Sequence, residues 1–204
     1  TRPDVRPCWV CLPIHLRNSV SQMQPHWLCW DPDARELWVR ELPRHPGVIA
    51  SEGYFPWFRR GMEFEEFTPL FAKHFAEGRS CACIVAIRSD ESLNRFRTIA
   101  SSTKQRWNGR SWSTVTPSGV VNTYPIYDWR TEDIWTATGR KGWDYNRIYD
   151  LMHLAGVGIH QMRLCQPYGD DQRKGLWLFK MLEPETGARL VGRVEGANFG
   201  NRYV

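Results

Sequence analysis

Hydrophobic and polar positions follow two rhythms along this chain. Between residues 62 and 77 the apolar side chains Met62, Phe64, Phe67, Leu70, Phe71 and Phe75 recur at helical spacing. This predicts a helix in which Thr68 is a cap, Pro69 the first helical residue and Gly78 the stop. Cys81-Ala-Cys-Ile-Val-Ala-Ile87 is a continuous apolar run rich in β-branched residues. It predicts a buried central strand in a parallel sheet covered on both faces. A charged loop, Arg88-Ser-Asp-Glu-Ser92, and a helix to about Ala100 follow. Residues 101–119 predict a loop or hairpin, and Val120–Tyr127 a second strand. Thr131 caps a short helix whose first turn carries Glu132 and Asp133, where the helix dipole favours negative charge. Further helices are predicted over Asn146–Ala155, over 172–182 and over 184–195, the last opening on Pro184.

The first sixty residues lack such periodicity. Eight prolines fix φ and remove donors there, so long regular elements are excluded. The reading is an irregular, aromatic-packed segment with helical turns around Leu16–Gln22 and a short strand at Leu37–Val39. Three regions result: an irregular segment over 1–60, an α/β domain over 61–160, and the start of a helical region over 161–204. The chain begins with Thr rather than Met, and both ends read as cut.

Composition narrows the class. With 204 residues, 42% hydrophobic and 24% charged, the chain has the make-up of a globular domain. No apolar run reaches the roughly 20 residues that span a bilayer, and no secretory leader is visible. A cytoplasmic protein is expected. The net charge of +5 suits an anionic ligand such as a nucleotide, a sulfate ester or nucleic acid. Cysteines at 8, 11, 29, 81, 83 and 165 are irregularly spaced, which fits reduced thiols. Cys8-x-x-Cys11 with His15, His26 and Cys29 is half of a zinc pattern without a regular second half, so zinc is expected to be absent. Cys81 and Cys83 fall on one face of the predicted strand and read as small hydrophobes. Cys165 is either a packed residue or a redox or sulfur-carrying thiol.

Two charged segments could carry chemistry. Arg88, Arg95 and Arg97 surround a strand–loop–helix corner, and guanidinium forks match sulfate and phosphate oxygens. Glu91 and Ser92 stand at the helix start, where backbone N–H groups also favour an anion. In open α/β sheets ligands sit at the carboxyl ends of strands, which is where the 88–92 loop falls. A surface salt-bridge cluster is the alternative. The polar segment 161–175 adds Arg163, Arg173 and Lys174. Its Asp170 and Asp171 either hold Mg2+ or pair with those cations.

Pro125-Ile-Tyr-Asp-Trp-Arg-Thr-Glu-Asp-Ile-Trp135, followed by Tyr145-Asn-Arg-Ile-Tyr-Asp150, resembles the pattern of phosphoadenylylsulfate (PAPS) reductase-like proteins. Ile87-Arg-Ser-Asp-Glu-Ser92 with Arg95 resembles their arginine–serine substrate-binding motif. Cys165-Gln-Pro-Tyr-Gly-Asp-Asp-Gln-Arg-Lys-Gly175, Glu183-Pro-Glu-Thr186 and Arg193-Val-Glu-Gly196 are similar to a subgroup with an extra C-terminal domain of unknown function, the immunoglobulin-binding regulator A type. The resemblance implies an adenine nucleotide α-hydrolase (PP-loop) fold with a mainly parallel sheet. The family's first strands and its Ser-Gly-Gly-x-Asp-Ser phosphate loop would precede residue 1. It further implies ATP or a PAPS-like nucleotide as ligand; the paired cysteines that hold an iron–sulfur cluster in some relatives have no match here, Cys165 being single, so no cluster is expected. Arg88, Glu91, Ser92, Arg95, Arg163, Arg173 and Lys174 would bind the anionic end. Trp129, Asp133, Tyr168, Asp170 and Asp171 would shape the pocket. The implied activity is a nucleotide-dependent step, such as ATP α-phosphate cleavage, sulfonucleotide chemistry or sulfur transfer. The alternative is a non-catalytic regulatory or DNA-associated module acting with a ParB-like partner.

Overall fold

The computed structural model describes residues 3–170 and 175–197. The elements run β1 (Trp9–Val10), β2 (His15–Arg17), β3 (His26–Leu28), a 3-10 helix over Pro32–Leu37, β4 (Val48–Ile49), a 3-10 turn over Glu52–Tyr54 and α1 (Phe64–Ala76). After these come β5 (Ala82–Ile84), α2 (Leu93–Ala100), a 3-10 turn over Trp107–Gly109, β6 (Ser113–Val115), β7 (Val121–Thr123), α3 (Thr131–Lys141), α4 (Ile148–Leu154), α5 (Leu176–Leu182) and α6 (Pro184–Arg193). The chain divides into two compact units, one of residues 1–67 with 163–204 and the other of residues 68–162.

The class is α/β, with small mixed sheets in place of the mainly parallel sheet expected. In the second unit the strand order is β5-β7-β6, with β5 parallel and β6 antiparallel to β7. Local chemistry dictates the antiparallel pair. Thr116 N–H donates to Val120 O at 2.9 Å and Gly119 turns with φ of 82°, so the chain folds straight back into a hairpin. The parallel pair needs a crossover, which α2 and the loop after it provide. β5 is not the buried central strand expected. It lies at the sheet edge among the described strands, and Ile84 is 78% exposed. An apolar run alone does not distinguish a central strand from an edge.

Other expectations are corrected in the same way. Pro69 lies inside α1, because Phe67 N–H already donates to Glu63 O at 2.9 Å and the helix starts a turn earlier. Arg130 caps α3 and Thr131 is its first residue, since Arg130 N–H donates to Asp133 Oδ2 at 2.8 Å. Leu16 belongs to strand β2 rather than to a helical turn, paired with Trp27. The buried Asn18 ends that strand. Its Nδ2 donates to Gln24 O at 2.8 Å and its Oδ1 accepts from Val20 N–H at 3.1 Å, closing the β2–β3 connection. Leu37 ends a 3-10 helix instead of starting a strand, and the Trp38 indole donates to Asp31 O at 2.8 Å.

Among the described residues the first unit has two packed centres. Phe55, 1% exposed, sits with Trp57, Phe58 and Phe67 at ring distances of 4.8 to 6.2 Å. Tyr168, Leu190, Val194 and Ala197 form the other, packed by Val20, Trp27, Val39 and Phe179. Gly196 makes that packing possible. It adopts φ of +87°, and a Cβ there would lie 2.6 Å from Val20 O. The second unit's core is smaller: Ile87, Ile99 and Tyr124, flanked by Val85 and Tyr127. The Tyr124 hydroxyl shares a 2.8 Å hydrogen bond with Thr114 Oγ1.

Candidate functional site

Past β5 the chain continues beside the segment that follows β7. Val85 N–H donates to Thr123 O, and the Ser89 N–H and hydroxyl both donate to Tyr127 O, each at 2.8 Å. That pairing delivers Arg88 to the N-terminus of α3. Its guanidinium Nη1 reaches Thr131 Oγ1 at 3.3 Å, Asp90 Oδ2 at 3.4 Å and Trp129 O at 3.5 Å. The Arg88 side chain is only 13% exposed. Asp90 Oδ2 accepts in turn from Thr131 N–H at 3.3 Å and from its hydroxyl at 3.4 Å. A carboxylate therefore holds the α3 N-terminus, where the helix dipole favours an anion.

The other face of the corner is the start of α2. Ser92 caps it, its hydroxyl accepting from Arg95 N–H at 3.3 Å. Arg95 is half-exposed, with Nε 4.0 Å from Glu91 Oε2. The corner thus contains one arginine held by protein groups and one that reaches solvent beside a helix N-terminus. Such a pair can bind a sulfate or phosphate group at the half-exposed guanidinium while the held one fixes the loop.

The predicted residues divide between the two units. Arg88, Glu91, Ser92, Arg95, Trp129 and Asp133 belong to the second, and the Arg88 and Asp133 contacts already described gather at the start of α3. Arg163, Tyr168 and Asp170 belong to the first unit. Tyr168 is fully buried, and its hydroxyl donates to Leu190 O at 2.8 Å. Burial pushes its phenol well above the ordinary value, with the Arg193 charge opposing. Asp170 pairs with Arg17 at 3.6 Å, both exposed. Asp171, Arg173 and Lys174 lie outside the described residues.

Sequence reasoning missed Asp90 and Thr131. An Asp two residues past an arginine at a strand end was the available signal, but its partner stands 41 residues further on. Among the described residues no three of His, Cys, Asp or Glu are grouped to hold a metal ion. The Cys29 thiol instead donates to Leu12 O and Ile14 O at 3.4 Å, and the His15 and His26 rings lie tilted against each other with centroids 4.6 Å apart. No described helix is long and apolar enough to cross a membrane.

Residues 61–158, which include this whole corner, match the phosphoadenosine phosphosulfate reductase domain, and residues 156–204 match a domain of unknown function (DUF3440). The chain belongs to the PAPS reductase-like family. It is 43% identical over 198 residues to the uncharacterized protein YbdN of Escherichia coli (strain K12), covering 96% of this chain and 48% of that protein. The chain thus spans about half the length of the curated relative it matches. No solved structure matches it. The matched domain implies an α/β fold of the PP-loop kind.

Proposed function

We propose that this chain is the anion-binding half of a nucleotide-dependent enzyme acting on ATP or a PAPS-like sulfonucleotide. In this reading Arg95 and the first turn of α2 take the phosphate or sulfate of the nucleotide. Arg88 is a positioning residue that holds the loop through Asp90 and Thr131. Glu91 and Ser92 orient Arg95, and Trp129 and Asp133 form the adjoining wall. Arg163, Arg173 and Lys174 add positive charge along the same chain. The longer protein, in the cytoplasm, would supply the phosphate loop and carry out α-phosphate cleavage or sulfur transfer.

The observation that carries this reading is a half-exposed arginine beside a capped helix N-terminus, at the carboxyl end of a strand, inside the matched domain. Calorimetry of ATP and PAPS binding to the full-length protein tests it. Arg95→Ala should weaken binding by about 1.5–3 kcal/mol, the range for charge-assisted hydrogen bonds. Unchanged affinity in a folded Arg95→Ala protein would remove the assignment.

A further inference from the structure

Cys81 and Cys83 stand two residues apart at the start of β5, so strand geometry sends both side chains to one face. Burial, with the neighbouring Cys81 adding to it, raises the Cys83 thiol above its ordinary value. Both are partly exposed. A cavity of about 330 Å³ opens beside Cys81, lined also by Gln105, Trp107, Asn108, Val115 and Val121. That is the lower end of the size range of small-molecule sites.

The cavity wall is fixed before any ligand arrives. Arg106 donates to the carbonyl oxygens of Ile99, Ser101, Ser111 and Ser113, which closes the 99–113 loop around its own guanidinium. These four bonds occupy the cation at the cavity. The remaining lining offers an indole, two amides, a hydroxyl, two valines and a thiol. Such a lining suits a small, flexible sulfur compound better than a phosphate.

We infer that Cys81 and Cys83 form a redox-active dithiol that exchanges with a low-molecular-weight disulfide admitted by this cavity. Cys81 lines the cavity and is the attacking group. As a thiolate it attacks one sulfur of the disulfide, forming a Cys81 mixed disulfide and releasing one thiol. Cys83 then loses its proton and attacks the Cys81 sulfur, releasing the second thiol and closing a Cys81–Cys83 bond. The dithiol gives up two electrons and two protons, and the disulfide becomes two thiols. Two residues of strand separate Cα atoms by about 6.6 Å. This is near the upper limit of about 6.8 Å for a disulfide. Ring closure therefore bends the chain at Ala82, which is exposed and at the sheet edge. A strained disulfide is readily reduced again, which marks an exchanging pair rather than a structural staple.

The test needs no nucleotide, so it stands apart from the function proposed above. Full-length protein is equilibrated with glutathione mixtures of increasing oxidised fraction, quenched in acid, alkylated and read by peptide mass spectrometry. The peptide carrying both cysteines should lose two hydrogens and escape alkylation, reversibly on adding dithiothreitol. Cys83→Ser should trap glutathione on Cys81 faster than the exposed Cys165 takes it up. The inference is overturned if the pair stays alkylatable in the most oxidising mixture. It is equally overturned if Cys81 in Cys83→Ser captures glutathione no faster than Cys165.

Discussion

Arg193 in the first unit and Arg88 in the second are both withdrawn from water, by different physics. In the first unit Arg193, 9% exposed, has no carboxylate partner among the described residues. Its guanidinium stacks 5.2 Å over the Trp27 ring and donates to Leu28 O at 2.6 Å. In the second unit Arg88 is held by Asp90, Thr131 and the Trp129 carbonyl. The first arrangement depends on packing, because a desolvated cation without a counter-charge is tolerable only where a π face and a carbonyl replace water. The second depends on charge and helix-end polarity. A unit that holds its arginine by charge leaves a polar corner open to ligands. A unit that holds it by packing leaves a closed core.

The contrast can be broken by four substitutions, taken from the largest expected effect. Tyr168→Ala empties the centre of the first unit's core and should cost about 3–5 kcal/mol in urea unfolding, as large-to-small aromatic changes do. A loss under about 1 kcal/mol would mean that this core is not tightly packed. Arg193→Ala should cost about 1.5–3 kcal/mol, the worth of a charged hydrogen bond. That loss should be nearly the same at low and high salt, because no surface ion pair is broken. A strong salt dependence would reveal an unrecognised anionic partner.

Tyr168→Phe should cost about 1 kcal/mol at neutral pH through the lost bond to Leu190 O. Its pH profile is more telling. Burial raises the phenol of the folded state above the ordinary value of 10.0, so its stability contribution is intact below that pH and is lost as pH rises beyond it. Urea midpoints measured from pH 8 to 11 should fall at the alkaline end in the wild type and fall less in Tyr168→Phe. Asp90→Asn is the smallest change, about 0.5 kcal/mol, because Asp90 is 41% exposed and solvent screens its charge. Thermal unfolding at 1 M salt should nearly erase the difference, since the Debye length is then about 3 Å. Equal losses at both salt levels would place Asp90 with Arg193 as a packing residue.

Much of this layout was legible along the sequence where contacts are local. The spacing of Phe64, Phe67 and Phe71 gave α1, Gly78 followed its end, and Ser92 capped α2 as the strand–loop–helix reading required. What escaped depends on partners far away in the chain. β2 contains only three residues, too few for a period to declare itself, and is fixed by β3 and by Asn18. Ile84 looks like core in any window of its own sequence, and only the strand order puts it on an edge. In the candidate site the arginines and Ser92 were visible as types suited to anions. The division of labour between Arg88 and Arg95 was not, because it is set by Asp90 and Thr131 across the α3 N-terminus.

The knot of carbonyls around Arg106 bears on how the chain resists cutting. A trypsin-like protease must draw a basic side chain out of its substrate and into a pocket of its own. Arg106 has its guanidinium bonded to four carbonyl oxygens and can be offered only by undoing the turn between α2 and β6. Arg110, four residues on, is exposed. The loop therefore presents the protease with a basic residue at its outer edge while the one at its centre stays locked, and a nick at Arg110 would leave the Arg106 knot tied on its α2 side.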